Sequence, residues 1–139
     1  MMAHRFYASC FGGVVAGKNQ YTFALNGFMV IGMGAYGQHG LDDQPQYLIN
    51  SFNIGVQYQM WHALALMGVA WMVAQTGSRI VRLAGVAFTV GTILFSGALY
   101  TFGITGDVPF TGSAPIGGYS LMAGWALLGI GAWRGLRRD

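Results

Sequence analysis

The sequence predicts an all-α membrane protein with four transmembrane helices in an antiparallel bundle, and three observations predict it. Of the 139 residues, 54% are hydrophobic and 8% are charged, whereas soluble domains usually carry about 25% charged residues. Four stretches approach the roughly 20 apolar residues that a membrane span needs. All seven Lys and Arg residues fall on one side of the resulting topology, and three of the four acids fall on the other.

The four predicted spans follow the apolar stretches of the chain. They cover about residues 21–36, 55–74, 80–104 and 116–133. Residues 1–20 are expected to be an N-terminal extension that lies on the membrane surface or begins the first helix. Residues 21–139 are expected to form the four-helix transmembrane domain. Trp61, Tyr100 and Trp133 fall near predicted span ends, where aromatic side chains anchor at the lipid headgroups.

The placement of charge predicts the orientation. The basic residues are Arg5, Lys18, Arg79, Arg82, Arg134, Arg137 and Arg138, and the acids opposite them are Asp42, Asp43 and Asp107. Basic loops stay on the cytoplasmic side, and an even number of spans returns the chain to the side where it began. Both termini are therefore expected to be cytoplasmic. Short loops and the lack of an evident transit peptide favour the bacterial inner membrane over an organellar membrane.

The connector between the first two spans, residues 41–54, is expected to contain a short interfacial helix. Pro45 suits the first position of a helix. Leu48, Ile49 and Phe52 then recur at helical spacing.

Glycines in the third and fourth spans predict where helices approach closely. The expected packing positions are Gly91, Gly97, Gly118 and Gly124. Glycine allows close contact between helix backbones in a membrane. These positions serve packing within this chain or an interface with a partner or a second copy.

Polar side chains at the start of the second predicted span mark the candidate site. The cluster comprises Gln57, Tyr58, Gln59 and His62. Tyr58 and His62 share a helix face because they are four residues apart. His39 ends the first span on the same side of the membrane, so the two histidines are expected to be able to approach each other.

Three hypotheses remain open for this cluster. In the first, His62 is a structural hydrogen-bonding residue that ties helices together. In the second, His39 and His62 bind haem b or a metal, although zinc prefers three or four ligands and no dedicated metal site is expected. In the third, the cluster lines a path for protons or a small solute. Thr92 and Ser96 are expected to bond their own helix backbone or to pack tightly.

Several classes of function are excluded. The net charge is only +3, and the basic residues are split among short loops and ends, which argues against nucleic-acid binding. The sequence has no Gly-rich phosphate loop, nucleophile–base pattern or paired carboxylates. No catalytic residue and no resident cofactor are therefore expected.

The sequence resembles the YgdD-like family of small inner-membrane proteins, domain of unknown function 423, which is related to transmembrane protein 256. Four segments carry the resemblance: residues 34–41 (GAYGQHGL), 55–66 (GVQYQMWHALAL), 91–100 (GTILFSGALY) and 115–125, which contains PIGG and GW. The resemblance implies a four-helix membrane protein with no established activity, and it places His39, Tyr58, Gln59 and His62 in shared motifs. The N-terminal stretch departs from the usual family start, and Gln57 stands where some members carry an acid.

The expected function is that of a non-enzymatic accessory or structural subunit. Apart from the lipid bilayer, the expected partner is a larger membrane complex, such as a respiratory or other energy-converting assembly, or a second copy of the chain in a homo-oligomer. The alternatives are a small channel or carrier with a polar vestibule on the outer face, and a redox protein that binds haem or a metal.

Overall fold

The protein is all-helical in a computed structural model that describes residues 21–136. Its four helices are α1 (Tyr21–His39), α2 (Gln46–Thr76), α3 (Arg79–Thr105) and α4 (Ser113–Leu136). The predicted N-terminal extension and the basic residues 137–138 lie outside the described part. Two helices are long and apolar enough to cross a membrane by length and composition, over Arg79–Thr105 and Ser113–Gly135.

The second helix is longer than the sequence predicts. No separate interfacial helix forms, because residues 46–54 are the first turns of the 31-residue α2. Pro45 precedes this helix as its N-cap residue and does not occupy its first turn. Phe52 is completely buried and packs where Gly37 and Gly103 leave room for its ring. To be buried there, Phe52 must keep the helical register of the residues that follow it. The helix therefore continues without a break through residues 46–54.

A tight turn joins α2 to α3. Gly77 ends α2 in the left-handed conformation (φ 62°), and its N–H bonds to the Val73 carbonyl, which is a common helix stop. Ser78 then caps α3, since its hydroxyl accepts from the Val81 N–H. These two residues reverse the chain direction within one turn.

Glycines bring α3 and α4 together in antiparallel register. A Cβ atom added at any of four positions would come within 2.5–2.6 Å of the facing helix. The pairs are Gly91 with Leu121, Gly117 with Phe95, Gly124 with Phe88 and Gly131 with Val81. The Ser120 hydroxyl also donates to the Ala87 carbonyl across this contact (2.8 Å). The α3–α4 contact is therefore both close and specific in register.

Two of the four glycines predicted for helix packing do not lie at a close contact between helices. Gly97 has no atom within 4 Å of an added Cβ, and Gly118 has only the Phe95 ring at 3.9 Å. The close contact next to Gly118 falls on Gly117 instead. A spacing of six residues drifts around a helix, so Gly91 and Gly97 do not share one face.

The first helix lies at the edge of the molecule. It packs chiefly on α2, whereas α2, α3 and α4 form the main core. Leu25, Phe28 and Ile31 are 60%, 79% and 69% exposed. This leaves a broad apolar face of α1 uncovered by the described residues.

The charged residues within 21–136 lie at opposite ends of the helices according to their sign. Consecutive helices run antiparallel, so the connectors at residues 40–45 and 106–112 lie at one end. The Gln44 side chain joins the first of these connectors to the last turn of α3 by donating to the Ile104 carbonyl (3.2 Å). Asp42, Asp43 and Asp107 are at this end, whereas the arginines at the start of α3 and the end of α4 are at the other.

Candidate functional site

The polar side chains lie near the middle of the helices and not at their ends. Since α2 begins at Gln46, His62 falls close to the centre of this helix. Gln59 and His62 are both 4% exposed. The longer helix therefore places the predicted cluster near the centre of α2 and not at its start.

Gln59 links three helices through hydrogen bonds. Its amide nitrogen donates to Asn26 Oδ1 on α1 (2.9 Å). Its carbonyl oxygen accepts from the Tyr100 hydroxyl on α3 (2.5 Å). One buried amide thus uses a donor and its acceptor to connect α1, α2 and α3.

His62 uses both ring nitrogens within the protein. The indole N–H of Trp125 donates to Nε2 (3.2 Å), and Nδ1 lies 2.7 Å from the Tyr58 carbonyl. An indole nitrogen can only donate, so Nε2 is the unprotonated acceptor. Nδ1 then carries the proton and donates to the Tyr58 carbonyl. The geometry requires a neutral imidazole that connects α2 to α4.

His39 and His62 are not brought together. His39 is exposed at the end of α1. The Gly37–Phe52 contact places the end of α1 opposite the first turns of α2, about three turns or roughly 16 Å from His62. The histidines were expected to meet because the second span was predicted to begin at residue 55.

This separation bears on the haem and metal hypothesis. A histidine ligand needs a free nitrogen lone pair, and the Nε2 lone pair of His62 accepts from Trp125. In residues 21–136, no group of three or more His, Cys, Asp and Glu side chains could hold a metal ion. The two histidines proposed to bind haem or a metal therefore do not form a common site. The channel or carrier hypothesis stays a prediction, and His39 and His62 do not line one vestibule.

The rest of the predicted cluster splits between different neighbours. Gln57 is exposed. The Tyr58 ring packs between Phe95 (centroids 4.5 Å apart) and Trp61 (5.1 Å). Only Gln59 and His62 therefore connect helices through their polar groups.

An aromatic cleft opens between α2 and α4 beside His62. Its volume is about 440 Å³, and α3 contributes Phe95. The lining residues Tyr119 and Met122 on α4 are 71% and 68% exposed, so the cleft is open at the side of this helix. The lining residues are Tyr58, Trp61, His62, Phe95, Pro115, Gly118, Tyr119, Leu121, Met122 and Trp125. None of these ten side chains carries a formal charge. The cleft can therefore accept an uncharged, lipid-soluble molecule from the side.

Sequence reasoning missed the partners of both buried polar residues. Asn26 was a usable signal because it is a polar amide within an apolar span. Tyr100 was interpreted as an aromatic anchor, but it is half-buried and bonded to Gln59. Nothing in the sequence paired Trp125 with His62, because that pairing depends on how α4 crosses α2.

Three buried hydroxyls lack the hydrogen bonds that Gln59 and His62 make. Thr92, Ser96 and Ser113 have buried side-chain oxygens without a hydrogen-bond partner among the described residues. Of the two alternatives expected for Thr92 and Ser96, these residues show tight packing, at 4% and 1% exposed, and not a bond to their own helix. Thr89 does make such a bond, to the Gly85 carbonyl (2.9 Å).

Comparison with known proteins connects the chain to membrane proteins. A family model described as "Protein of unknown function (DUF423)" matches residues 33–118. The UPF0382 membrane protein YwdK of Bacillus subtilis is 39% identical over 84 residues, which cover 59% of this chain and 68% of that protein. A UPF0382 membrane protein of Haemophilus influenzae is 36% identical over 86 residues, which cover 60% and 68%.

A third relative is described as an inner membrane protein. The UPF0382 inner membrane protein YgdD of Escherichia coli is 34% identical over 83 residues, which cover 59% of this chain and 63% of that protein. No solved structure matches the chain. The matched region includes α2, α3, Gln59 and His62, together with Pro115 and Gly118 at the mouth of the cleft.

Proposed function

The chain belongs to the DUF423 family of membrane proteins, and from this premise we propose that it is a non-enzymatic accessory subunit of a larger membrane assembly. In this proposal, all four helices cross the bacterial inner membrane. The single observation that supports the accessory role is the uncovered apolar face of α1, which packs chiefly on α2.

The proposed topology has both termini on the cytoplasmic side. Antiparallel helices put the arginines at one end and the aspartates of the two longer connectors at the other, as basic loops on the cytoplasmic side require. The 31 residues of α2 extend about 46 Å, which exceeds the hydrocarbon thickness of about 30 Å. The first turns of α2, with Gln46, Asn50 and Asn53, then lie among the headgroups on the outer side.

The accessory role follows from the surfaces that the protein offers. Connectors of a few residues join the described helices, so helix faces make up most of the surface. The four close-packed glycines of α3 and α4, Gly91, Gly117, Gly124 and Gly131, are used within the chain, which shifts the proposed partner surface from these four glycines to α1. Leu25, Phe28 and Ile31 give this surface large side chains that a partner helix can cover.

Photo-crosslinking in native membranes tests this proposal. A benzophenone amino acid in place of Phe28 is expected to give a discrete band with a different protein. The same amino acid in place of Ile93, which is 66% exposed on α3, is the matched control and is expected to label lipid only. After extraction in a mild detergent, the protein is expected to migrate with the partner on a native gel.

Other outcomes would decide against the accessory role. A band at twice the mass of this chain would identify a homo-oligomer in place of a heteromeric assembly. Equal lipid labelling at both positions, with a monomer on the native gel, would overturn the proposal.

A further inference from the structure

We propose that the aromatic cleft between α2 and α4 binds the head of an uncharged, flat-ringed lipophile that carries carbonyl groups, the chemical class of the membrane quinones. The inference goes beyond the accessory role and does not depend on a protein partner. It requires only that the protein resides in a membrane, as its relatives do.

The dimensions of the cleft suit one ring system and the start of its chain. Along α4 it extends from Pro115 to Trp125, a rise of about 15 Å. Its volume of about 440 Å³ lies within the range of roughly 300–1,000 Å³ for small-molecule sites. Because the cleft opens sideways, a molecule dissolved in the bilayer can enter without crossing the membrane boundary.

The walls favour a flat ring. The Tyr58 ring contacts Phe95 and Trp61 at centroid distances of 4.5 and 5.1 Å, and Trp125 contacts Phe88 at 5.1 Å on the α4 side. Trp61 and Trp125 nevertheless remain 52% and 51% exposed. Their exposed ring surfaces can pack on a planar ligand in offset or edge-to-face geometry, which aromatic pairs prefer.

Hydrogen-bonding capacity favours a ligand with acceptors. The imidazole of His62 is already satisfied by Trp125 and by the Tyr58 carbonyl. Tyr58 and Tyr119 line the cleft, and neither hydroxyl has a hydrogen-bond partner within residues 21–136. In lipid, such donors lack water to bond with, so a carbonyl oxygen on the ligand satisfies a group that the protein leaves open.

The same residues exclude other membrane ligands. No Lys, Arg, Asp or Glu lines the cleft, so a phosphate or another charged headgroup would lose its hydration without gaining an ion pair. A plain acyl chain would fill the space but leave both phenol hydroxyls unpaired. A neutral ring with carbonyl groups satisfies both requirements.

Quenching of tryptophan fluorescence by a quinone tests the inference directly. The full chain carrying Trp71→Phe and Trp133→Phe keeps only the two cleft tryptophans, Trp61 and Trp125. In nanodiscs of fixed lipid composition, decylubiquinone is expected to quench this emission to a plateau. Decylbenzene, which has a ring but no carbonyl, is expected to compete at least tenfold more weakly.

A pair of glycine variants on α4 provides the matched control. Gly118→Leu projects a side chain into the cleft and is expected to weaken binding at least tenfold. Gly129 has no atom within 4 Å of an added Cβ and does not line the cleft, so Gly129→Leu is expected to keep the parent affinity.

A second variant keeps the test decisive if Gly118→Leu proves unstable. Tyr58→Phe removes one hydroxyl and retains the ring, and it is expected to weaken quinone binding about three- to tenfold, as the loss of one hydrogen bond does. Quenching that rises linearly with quinone content, equally in all variants, would show partition into lipid only and overturn the inference. Equal competition by decylbenzene, or parent affinity in Tyr58→Phe, would overturn the requirement for carbonyl groups.

Discussion

The α3–α4 contact and the attachment of α1 show two different ways of holding helices together. Between α3 and α4, Gly91, Gly117, Gly124 and Gly131 let side chains and backbone of the facing helix approach closely. Between α1 and α2 there is one close glycine contact, where a Cβ added at Gly37 would lie 2.9 Å from the Phe52 ring. Gly34 is in ordinary contact at 3.6 Å, and a hydrogen bond joins Asn26 to Gln59. Four close glycine contacts hold α3 to α4, whereas one such contact and one hydrogen bond between side chains hold α1 to α2.

This difference indicates which helix is better placed to contact another protein. Helices in lipid associate through van der Waals packing and hydrogen bonds because lipid supplies no hydrophobic driving force between them. A close glycine contact is lost when the facing helix shifts by less than the width of one side chain. One glycine contact and one hydrogen bond tolerate more movement than four glycine contacts, so α1 is the helix best suited to contact another protein.

The largest expected effect is at Gly117. A Cβ there would lie 2.5 Å from the Phe95 backbone nitrogen, which no rotamer change can relieve, whereas the neighbouring Gly118 has 3.9 Å of space. Gly117→Ala is expected to lower the free energy of unfolding by about 2–3 kcal/mol. Gly118→Ala should change it by less than about 0.5 kcal/mol. Unfolding in mixed micelles with increasing SDS measures both, and equal effects would contradict the α3–α4 register.

The next largest effect is expected at Gln59. Gln59→Leu leaves Asn26 and Tyr100 without their shared partner, and we expect a loss of about 1–2 kcal/mol. The exposed neighbour Gln57 provides the control, because Gln57→Leu removes no hydrogen bond found in the structure. The same SDS titration measures the loss, and a neutral Gln59→Leu would show that packing alone holds α1.

A smaller effect is expected at the connection between α2 and α4. Trp125→Phe keeps an aromatic ring but removes the N–H that donates to His62. Hydrogen bonds between membrane helices contribute about 0.6 kcal/mol on average, and the loss should be of that size. Trp71→Phe, on an exposed part of α2, serves as the control in the same titration. A loss several times larger would mean that Trp125 contributes mainly through packing against Phe88.

The smallest effect, of opposite sign, is expected at Thr92. Its hydroxyl is buried without a partner among the described residues, so Thr92→Val replaces an unsatisfied polar group with a methyl group of similar shape. We expect stability to stay unchanged or to rise by up to about 1 kcal/mol. Thr89→Val, which loses a bond to the Gly85 carbonyl, should not be stabilising. A clear loss at Thr92 would reveal a partner for its hydroxyl.

Local signals in the sequence predicted the helices better than the contacts between them. Apolar runs predicted four helices, and the motifs predicted the family, because both depend on neighbouring residues. The extent of α2 was underestimated because Phe52 is buried by Gly37 and Gly103, which are distant in sequence. For the same reason, the glycine pattern could not distinguish Gly117 from Gly118.

The candidate site was predicted in part. Gln59 and His62 stood out as polar residues beside an apolar run, and both are buried. Their partners Asn26, Tyr100 and Trp125 lie on three other helices, so only the register between helices reveals them. The aromatic cleft was not predicted because its lining residues come from α2, α3 and α4 and are distant in sequence.

Hydrogen–deuterium exchange of the intact protein in detergent micelles tests the central claim most directly. The difference between a closely packed α3–α4 contact and a weakly attached α1 predicts that amides of α1 exchange at least tenfold faster than those of α4, and that Gln59→Leu accelerates α1 alone. Equal exchange in α1 and α4, or acceleration of all four helices by Gln59→Leu, would contradict the account.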